Sequence, residues 1–284
     1  MTNRHYGRIG DMWKHLPLVE LLALETPREY WETHSGAALY PLTHSPDRDY
    51  GVYYFIEHAD SEPLLKTSRF LRVLTEGLAA PFPHHYPGSA GLAMRQLGRD
   101  ARRYLFSEID RYSLETLRDA ADSYGLTDRI ELVEGDGIDA AWSQILSQSA
   151  PTEVLVHIDP FNPFEESPAH QLSALELARK LSQEKAKVIY WYGFDEPEDA
   201  GWAFDEIAAN LQVPAWYGEI SLIQRETKML KEGILLGCGI VCTNLDGHTT
   251  ERLTELGLAL ARVYGDARLP AGTSGALTFR SGSN

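Results

Sequence analysis

Seven short runs rich in β-branched and aromatic residues recur along the chain, and most are separated by segments with helical apolar spacing. The runs are 28–34 (REYWETH), 104–110 (YLFSEID), 129–136 (RIELVEGD), 153–159 (EVLVHID), 187–194 (KVIYWYGF), 215–223 (AWYGEISLI) and 237–244 (GCGIVCTN). The helical intervals include 113–124, with Leu114 and Leu117 on one face, and 169–184, with Leu172, Leu175 and Leu177. This alternation predicts an α/β fold: a seven-stranded, mostly parallel sheet covered by helices on both faces. Ligands in such sheets bind outside the carboxyl ends of the strands, so the strand ends are where chemistry is expected.

A length of 284 residues suits one such domain. The stretch between the first two runs is too long for a simple crossover. Residues 43–85 are expected to form an inserted helical subdomain, with Pro81, Pro83 and Pro87 marking an extended return. The tail SGALTFRSGSN (274–284) is expected to fray at its end. There is no run of apolar residues long enough for a membrane span and no apolar signal core at the N-terminus, which predicts a cytoplasmic protein. Cys238 and Cys242 would sit on one face of a strand about 13 Å apart, too far for a disulfide, and are expected in the core. The ten histidines show no ligand spacing beyond the adjacent His84 and His85, so no metal site is expected.

Four strand ends carry polar residues in a suggestive order. The first runs into Glu32-Thr33-His34-Ser35-Gly36, a small-residue turn that lets a cofactor approach the backbone. It is not G-x-G-x-x-G, which weakens a dinucleotide reading. The second ends in Glu108 and Asp110, placed to accept ribose hydroxyls. The third ends in Gly135-Asp136-Gly137, where the acid could take an adenine amino group. The fourth ends in Asp159-Pro160-Phe161-Asn162. Each acid alone reads as a cap or turn residue. The sequence of turn, ribose acid, adenine acid and Asp-Pro is the order expected of an S-adenosylmethionine (SAM) methyltransferase.

The chain resembles the RlmJ family, bacterial methyltransferases acting on N6 of an adenine in large-subunit ribosomal RNA. The resemblance rests on GDMWKH (10–15), ETHSGAALY (32–40), YPGS (86–89) with RQL (95–97), SEID, EGDG and LPAGTSGA (269–276), spread over nearly the whole chain. It implies a Rossmann-like fold with a helical insertion and SAM as cofactor. It also implies that His15, His34, Ser89, Glu108, Asp136 and Gly137 line the cofactor site, with Lys14 beside it. His15 and His34 could equally be core or capping histidines, and Ser89 could cap a helix beginning near Ala90.

The catalytic loop of adenine amino-methyltransferases is (Asp/Asn/Ser)-Pro-Pro-aromatic, whose acid holds the amino group while the ring stacks on the flipped base. Here Asp159 and Pro160 match, Phe161 stands at the second proline, and Asn162 stands at the aromatic position. The family's Asn upstream of the N-terminal motif is Arg8. The aromatic run Tyr190–Phe194, with Phe161, Phe164 and Trp13, could wall a pocket for a planar acceptor.

Net charge is −15, from 26 basic and 41 acidic side chains, and the insertion is itself acidic. A polyanion partner usually needs a basic patch, and the best candidate is Arg95, Arg99, Arg102 and Arg103, which also read as a solvated helix face. Three functions therefore stay open: methylation of ribosomal RNA, methylation of a small molecule or peptide with Asp159, His157 or Asn162 handling the acceptor, and SAM binding without catalysis.

Overall fold

The computed structural model describes residues 6–76, 82–148, 150–209, 211–222, 236–265 and 277–284. The chain enters through helix α1 (Ile9–Glu25) and strand β1 (Glu29–Glu32), followed by β2 (Leu39–Pro41). Short helices α2 (Pro46–Arg48), α3 (Tyr54–His58), α4 (Pro63–Lys66) and α5 (Arg69–Thr75) precede β3 (His85–Pro87), which pairs antiparallel with β2. Helix and strand then alternate: α6 (Ser89–Leu97), β4 (Arg103–Glu108), α7 (Arg111–Ser123), β5 (Ile130–Glu134), α8 (Gly137–Ile145) and β6 (Val154–Ile158). The remainder is α9 (Ala174–Gln183), β7 (Lys187–Phe194), α10 (Trp202–Ala208), β8 (Ala215–Leu222), β9 (Gly237–Thr243), α11 (Gly247–Tyr264) and β10 (Leu277–Ser283).

The main sheet has eight strands, not the seven expected, in the order β10-β8-β9-β7-β6-β1-β4-β5. Strands β5, β4, β1, β6 and β7 are parallel, whereas β9 runs against β7 and β8, and β10 runs against β8, so the sheet is mixed. The eighth strand, β10, runs through the tail whose end is expected to fray. It pairs with β8 from Leu277↔Leu222 to Ser283↔Trp216. Its Phe279 ring occupies space that a Cβ at Gly257 would fill, and Arg280 pairs with the buried Glu219. The motif at 269–276 lies outside the described residues.

The seven expected strands match the observed ones within two residues at each end. Cys238 and Cys242 are free and buried in β9. No helix among the described residues is long and apolar enough to cross a membrane. The helix expected over 169–184 begins later, at Ala174, because Ser173 and Glu176 cap it reciprocally: Glu176 Oε2 accepts from Ser173 N at 2.9 Å, and Ser173 Oγ accepts from Glu176 N at 3.3 Å. Residues 159–173 are left as a long loop at the end of β6.

Side chains alternate across the strands and fill two layers. Tyr30, Tyr104, Phe106, Leu155 and Ile189 pack into the layer shared with α1, α6 and α11. Trp31, Leu105, Val156, Val188 and Tyr190 pack into the layer shared with α8, α9 and α10. From β1 the chain builds outward through β4 to β5, then returns to the other side of β1 with β6. The strand order therefore reverses between β1 and β6, the position at which such sheets open a crevice.

Candidate active site

The crevice begins where β1 ends. Gly36 has φ +61°, a conformation that favours glycine, and a Cβ there would stand 2.5 Å from Tyr40 Oη. Its N–H donates to Glu108 Oε2 at 2.8 Å, tying the first turn to the end of β4. Glu108 Oε1 accepts from Ile109 N at 2.8 Å and Asp110 N at 2.9 Å. A carboxylate offers about four lone-pair positions, so a position remains on Oε2 for a hydroxyl donor. Gly137 packs directly on the Thr33 backbone, where a Cβ would collide with the carbonyl. That contact draws the end of β5 against the end of β1. Asp136 caps α8, its Oδ1 accepting from Asp139 N at 2.9 Å, and the residue is exposed.

His34 stands among these acids. Its Nδ1 shares a 2.8 Å hydrogen bond with Thr33 Oγ1. Burial lowers its pKa, and the carboxylates of Asp159, Asp136 and Glu108 oppose that shift without cancelling it. The strand ends thus present three carboxylates around one largely neutral imidazole, an environment that suits a cationic ligand.

Beneath the turn lies a buried polar floor. The β1–β6 register places Glu32 opposite His157, both 1% exposed. Glu32 Oε1 accepts from Tyr30 Oη and lies 3.2 Å from His157 Nδ1, while Oε2 accepts from Ser89 Oγ at 3.1 Å. Burial, and then Glu32, raise the Tyr30 pKa well above its ordinary value, so the phenol stays a donor.

Two residues expected to line the cofactor site are buried and hydrogen-bonded within the protein. Ser89 is the first residue of α6, 6% exposed and committed to Glu32. It does not cap the helix, whose N-cap is Gly88. His15 is 3% exposed, shares a 2.7 Å hydrogen bond with Tyr86 and stacks on that ring at 5.6 Å. Ser35 is also buried, its N–H donating to Ser107 O at 3.0 Å. These three hold the crevice from below. Lys14, expected beside the site, faces the other half.

That half is organised by Asp159 at the end of β6. Lys14 Nζ donates to Asp159 Oδ2 at 2.9 Å and lies 3.2 Å from Asp11 Oδ1 and 5.4 Å from the centre of the Trp191 ring. Burial works against the charge on Asp159, but Lys14, then His157, outweigh it and hold the carboxyl below the usual range. Burial likewise opposes the charge on Lys14, and the two carboxylates overcome it and raise its pKa. The acid is therefore ionised and the amine protonated at neutral pH.

Beyond Asp159 opens a cavity of about 480 Å³ between the start of α1, the Asp159 loop and strands β7 to β10. Tyr190, Trp191, Tyr192 and Gly193 line it from β7 itself, with Phe161 at its edge. Trp13 does not: it is fully buried, its Nε1 donating to Gly218 O at 3.0 Å. Phe164 is 66% exposed and rests on Trp202 with ring centres 5.5 Å apart. The ring of Phe161 is wholly exposed, and Asn162 is exposed with Oδ1 accepting from Phe164 N at 3.2 Å. In this arrangement Pro160 and Phe161 border the cavity, and Asn162 closes a turn.

Asp11 and Tyr50 also line the cavity: Asp11 lies in the GDMWKH motif but is given no role there, and Tyr50 has no signal in the sequence, because it reaches the cavity only through the packing of the segment after β2. The arginine cluster lies at the other end of the sheet, by the amino ends of the strands. Arg95 pairs with Glu76 at 2.6 Å, Arg99 with Asp128 at 2.8 Å, Arg102 with Glu29 at 2.8 Å and Arg103 with Glu131 at 2.6 Å. Each guanidinium is matched by a carboxylate, and none faces the crevice. Among the described residues no cluster of metal-ligating side chains occurs.

No protein-family model and no curated protein matches this chain. Among solved structures, a protein of family DUF519 from Legionella pneumophila str. Philadelphia 1 is similar over 98% of both chains, with a TM-score of 0.71 and 19% identity. Looser similarity is found to the O-methyltransferase TomG from Streptomyces achromogenes, solved in complex with SAM, at TM-score 0.38 and 13% identity over 81% of this chain and 79% of that one. A methyltransferase from Geobacter sulfurreducens stands at TM-score 0.36 and 10% identity over 84% and 78%. The chain thus shares its whole α/β fold with the Legionella protein, and its chemistry has to be read from its own strand ends.

Proposed function

We propose that this chain is a SAM-dependent methyltransferase, with the cofactor held at the ends of β1, β4 and β5 and the methyl group delivered beside Asp159. The observation that carries the reading is the crevice at the β1–β6 reversal, where Gly36, Glu108, Asp136 and Gly137 meet on one side and Asp159 closes the other. The residues fit that cofactor. The open position on Glu108 Oε2 suits a ribose hydroxyl, Asp136 suits the adenine amino group, and the surplus of carboxylates suits a sulfonium. The resemblance to the RlmJ family also implies Glu108, Asp136 and Gly137, and supports the same assignment.

When bound, SAM supplies an electrophilic methyl group. The protein's part is positional and electrostatic. Asp159 accepts the N–H or O–H of the acceptor, aims its lone pair and receives the proton. Lys14 keeps that carboxylate ionised and fixed.

The test is calorimetric titration with S-adenosylhomocysteine. Wild type and Asp159→Asn should bind it and Asp136→Ala should not. Equal affinity in Asp136→Ala would remove the assigned cofactor site.

A further inference from the structure

The loop that follows Asp159 is fastened to the helix that follows Asp136. Residues 159–173 carry no helix or strand, and a connection of that length is usually either mobile or functional. Its second half is a closed turn. Gln171 N donates to Ser167 O at 2.9 Å, Ser167 N to Leu172 O at 2.9 Å and Leu172 N to Ser167 Oγ at 3.3 Å. Its first half is held more lightly: Asn162 Oδ1 accepts from Phe164 N, Phe164 rests on Trp202, and Phe161 stands wholly in solvent.

One side chain makes the fastening. Asp139, in the first turn of α8, accepts from Ala169 N through Oδ2 at 2.9 Å and from His170 N through Oδ1 at 3.0 Å. Both oxygens are thus committed to the loop backbone, in charge-assisted bonds that are stronger than neutral ones. Burial works against the charge on Asp139, and the Ser167 hydroxyl with the two N–H groups outweighs it and holds the carboxyl below its usual range. A lesser tie joins Ser143 Oγ to the exposed His170 ring, 2.9 Å from Nε2.

The same helical turn belongs to the proposed cofactor site. Asp139 N donates to Asp136 Oδ1 at 2.9 Å, and Gly137 packs on the Thr33 backbone. The first turn of α8 therefore carries the acid assigned to the adenine amino group and the acid that holds the loop leaving Asp159. Whatever steadies one steadies the other.

We propose that Asp139 is a positioning residue that joins the two halves of the site: it clamps the 159–173 loop to α8, and a nucleoside bound at Asp136 tightens the clamp. This deepens the methyltransferase reading and rests on it. With both oxygens committed, Asp139 acts through the loop rather than on a ligand, and so sets the path of the chain as it leaves Asp159. Linkage makes the effect reciprocal. The factor by which a bound nucleoside favours the clamped loop is the factor by which the clamped loop favours the nucleoside.

The experiment is hydrogen exchange of the full chain, read by mass spectrometry over residues 159–173 with and without saturating S-adenosylhomocysteine, beside calorimetric affinity. In wild type the ligand should slow exchange across Ala169 and His170 by about fivefold or more. Asp139→Ala keeps the backbone N–H that Asp136 accepts, so α8 stays capped. The variant should bring the ligand-free loop close to unprotected exchange and abolish the slowing by ligand. It should also weaken S-adenosylhomocysteine by about the factor of the wild-type slowing. Asp139→Asn, which keeps one acceptor oxygen, should recover part of both effects. Exchange in β6 and in the last turn of α8 should match wild type; faster exchange there would show an acid that merely supports the helix, and overturns the inference. So would unchanged loop exchange in Asp139→Ala. Wild type that binds S-adenosylhomocysteine with loop exchange untouched sinks the coupling and spares the cofactor site. Wild type that binds none removes the cofactor site and the coupling with it, while loop release in ligand-free Asp139→Ala would still establish the clamp.

Discussion

Lys14 on α1 donates to Asp159 at the end of β6 across 2.9 Å, and the same ammonium lies 3.2 Å from Asp11, one helical turn before it. One cation thus serves two carboxylates in a setting where the Lys14 side chain is 13% exposed and that of Asp159 22%. The pair links the N-terminal helix to the end of β6, so the position of Asp159 depends on α1 being docked.

Lys14→Met leaves both acids without their shared cation. Removing one partner of a largely buried pair costs about 3 kcal/mol. The Asp159 carboxyl should also titrate higher, because burial would then act on it with less opposition. Urea unfolding should show the loss, and the double variant with Asp159→Asn should recover much of it. A single variant as stable as wild type would show that the pair contributes nothing.

Gly137→Ala tests the contact between the β1 and β5 ends. The added Cβ meets the Thr33 carbonyl, which cannot move without pulling β1 away from its neighbours. A loss of about 1–3 kcal/mol is expected, from overpacking against backbone. Affinity for S-adenosylhomocysteine should fall with it, since Asp136 and His34 flank the contact. Unchanged stability and affinity would mean that the two turns are not coupled.

The strands were legible because each is an apolar run bounded by polar or glycine residues, and local composition is enough to set such limits. Helix α1 was not. It is covered by α5, α6, α11 and the sheet, so its apolar residues do not form one stripe, and Pro17 and the buried Glu20 interrupt them. Glu20 is tolerated inside because Arg69 donates to it from both backbone and side chain, at 2.8 and 2.9 Å, a partner 49 residues away. Strand β10 was missed for the same kind of reason: Ser and Gly argue locally for a tail, and the strand exists only through its register with β8. The site divides likewise. Glu108, Asp136 and Asp159 are strand-end acids that a one-dimensional reading finds. Tyr50, Asp11 and the Glu32–His157 contact arise from strand adjacency and helix docking.

His15 gives the protein a pH dependence whose direction follows from its burial. Burial first, then the charges of Lys14 and His157, lower its pKa well below the ordinary value. Below about pH 6.5 the unfolded chain takes a proton that the folded one refuses, so stability present above that pH is lost as pH falls. The slope reaches at most about 1.4 kcal/mol per pH unit for this one group. His34, shifted in the same direction, adds to it. Urea unfolding between pH 8 and 5.5 should show wild type losing more stability than His15→Gln, which keeps a partner for Tyr86. Parallel losses in the two proteins would show that His15 is protonated in the native state.

Rebuilding the adenine-methyltransferase loop, Phe161→Pro with Asn162→Tyr, separates the two acceptor readings. Both side chains are exposed, so the cost should be confined to the lost Asn162–Phe164 turn contact, about 1 kcal/mol. If the loop alone had drifted, a tyrosine at 162 would supply the missing stacking ring, and methylation of an adenine-containing RNA hairpin would appear in the variant. The expected result is no transfer to RNA in either protein. The arginines that would grip phosphates are paired with Glu76, Asp128, Glu29 and Glu131 at the far end of the sheet, and two substitutions in the loop leave them there. Radiolabel transfer from SAM to the hairpin, measured for wild type and variant side by side, reads the outcome.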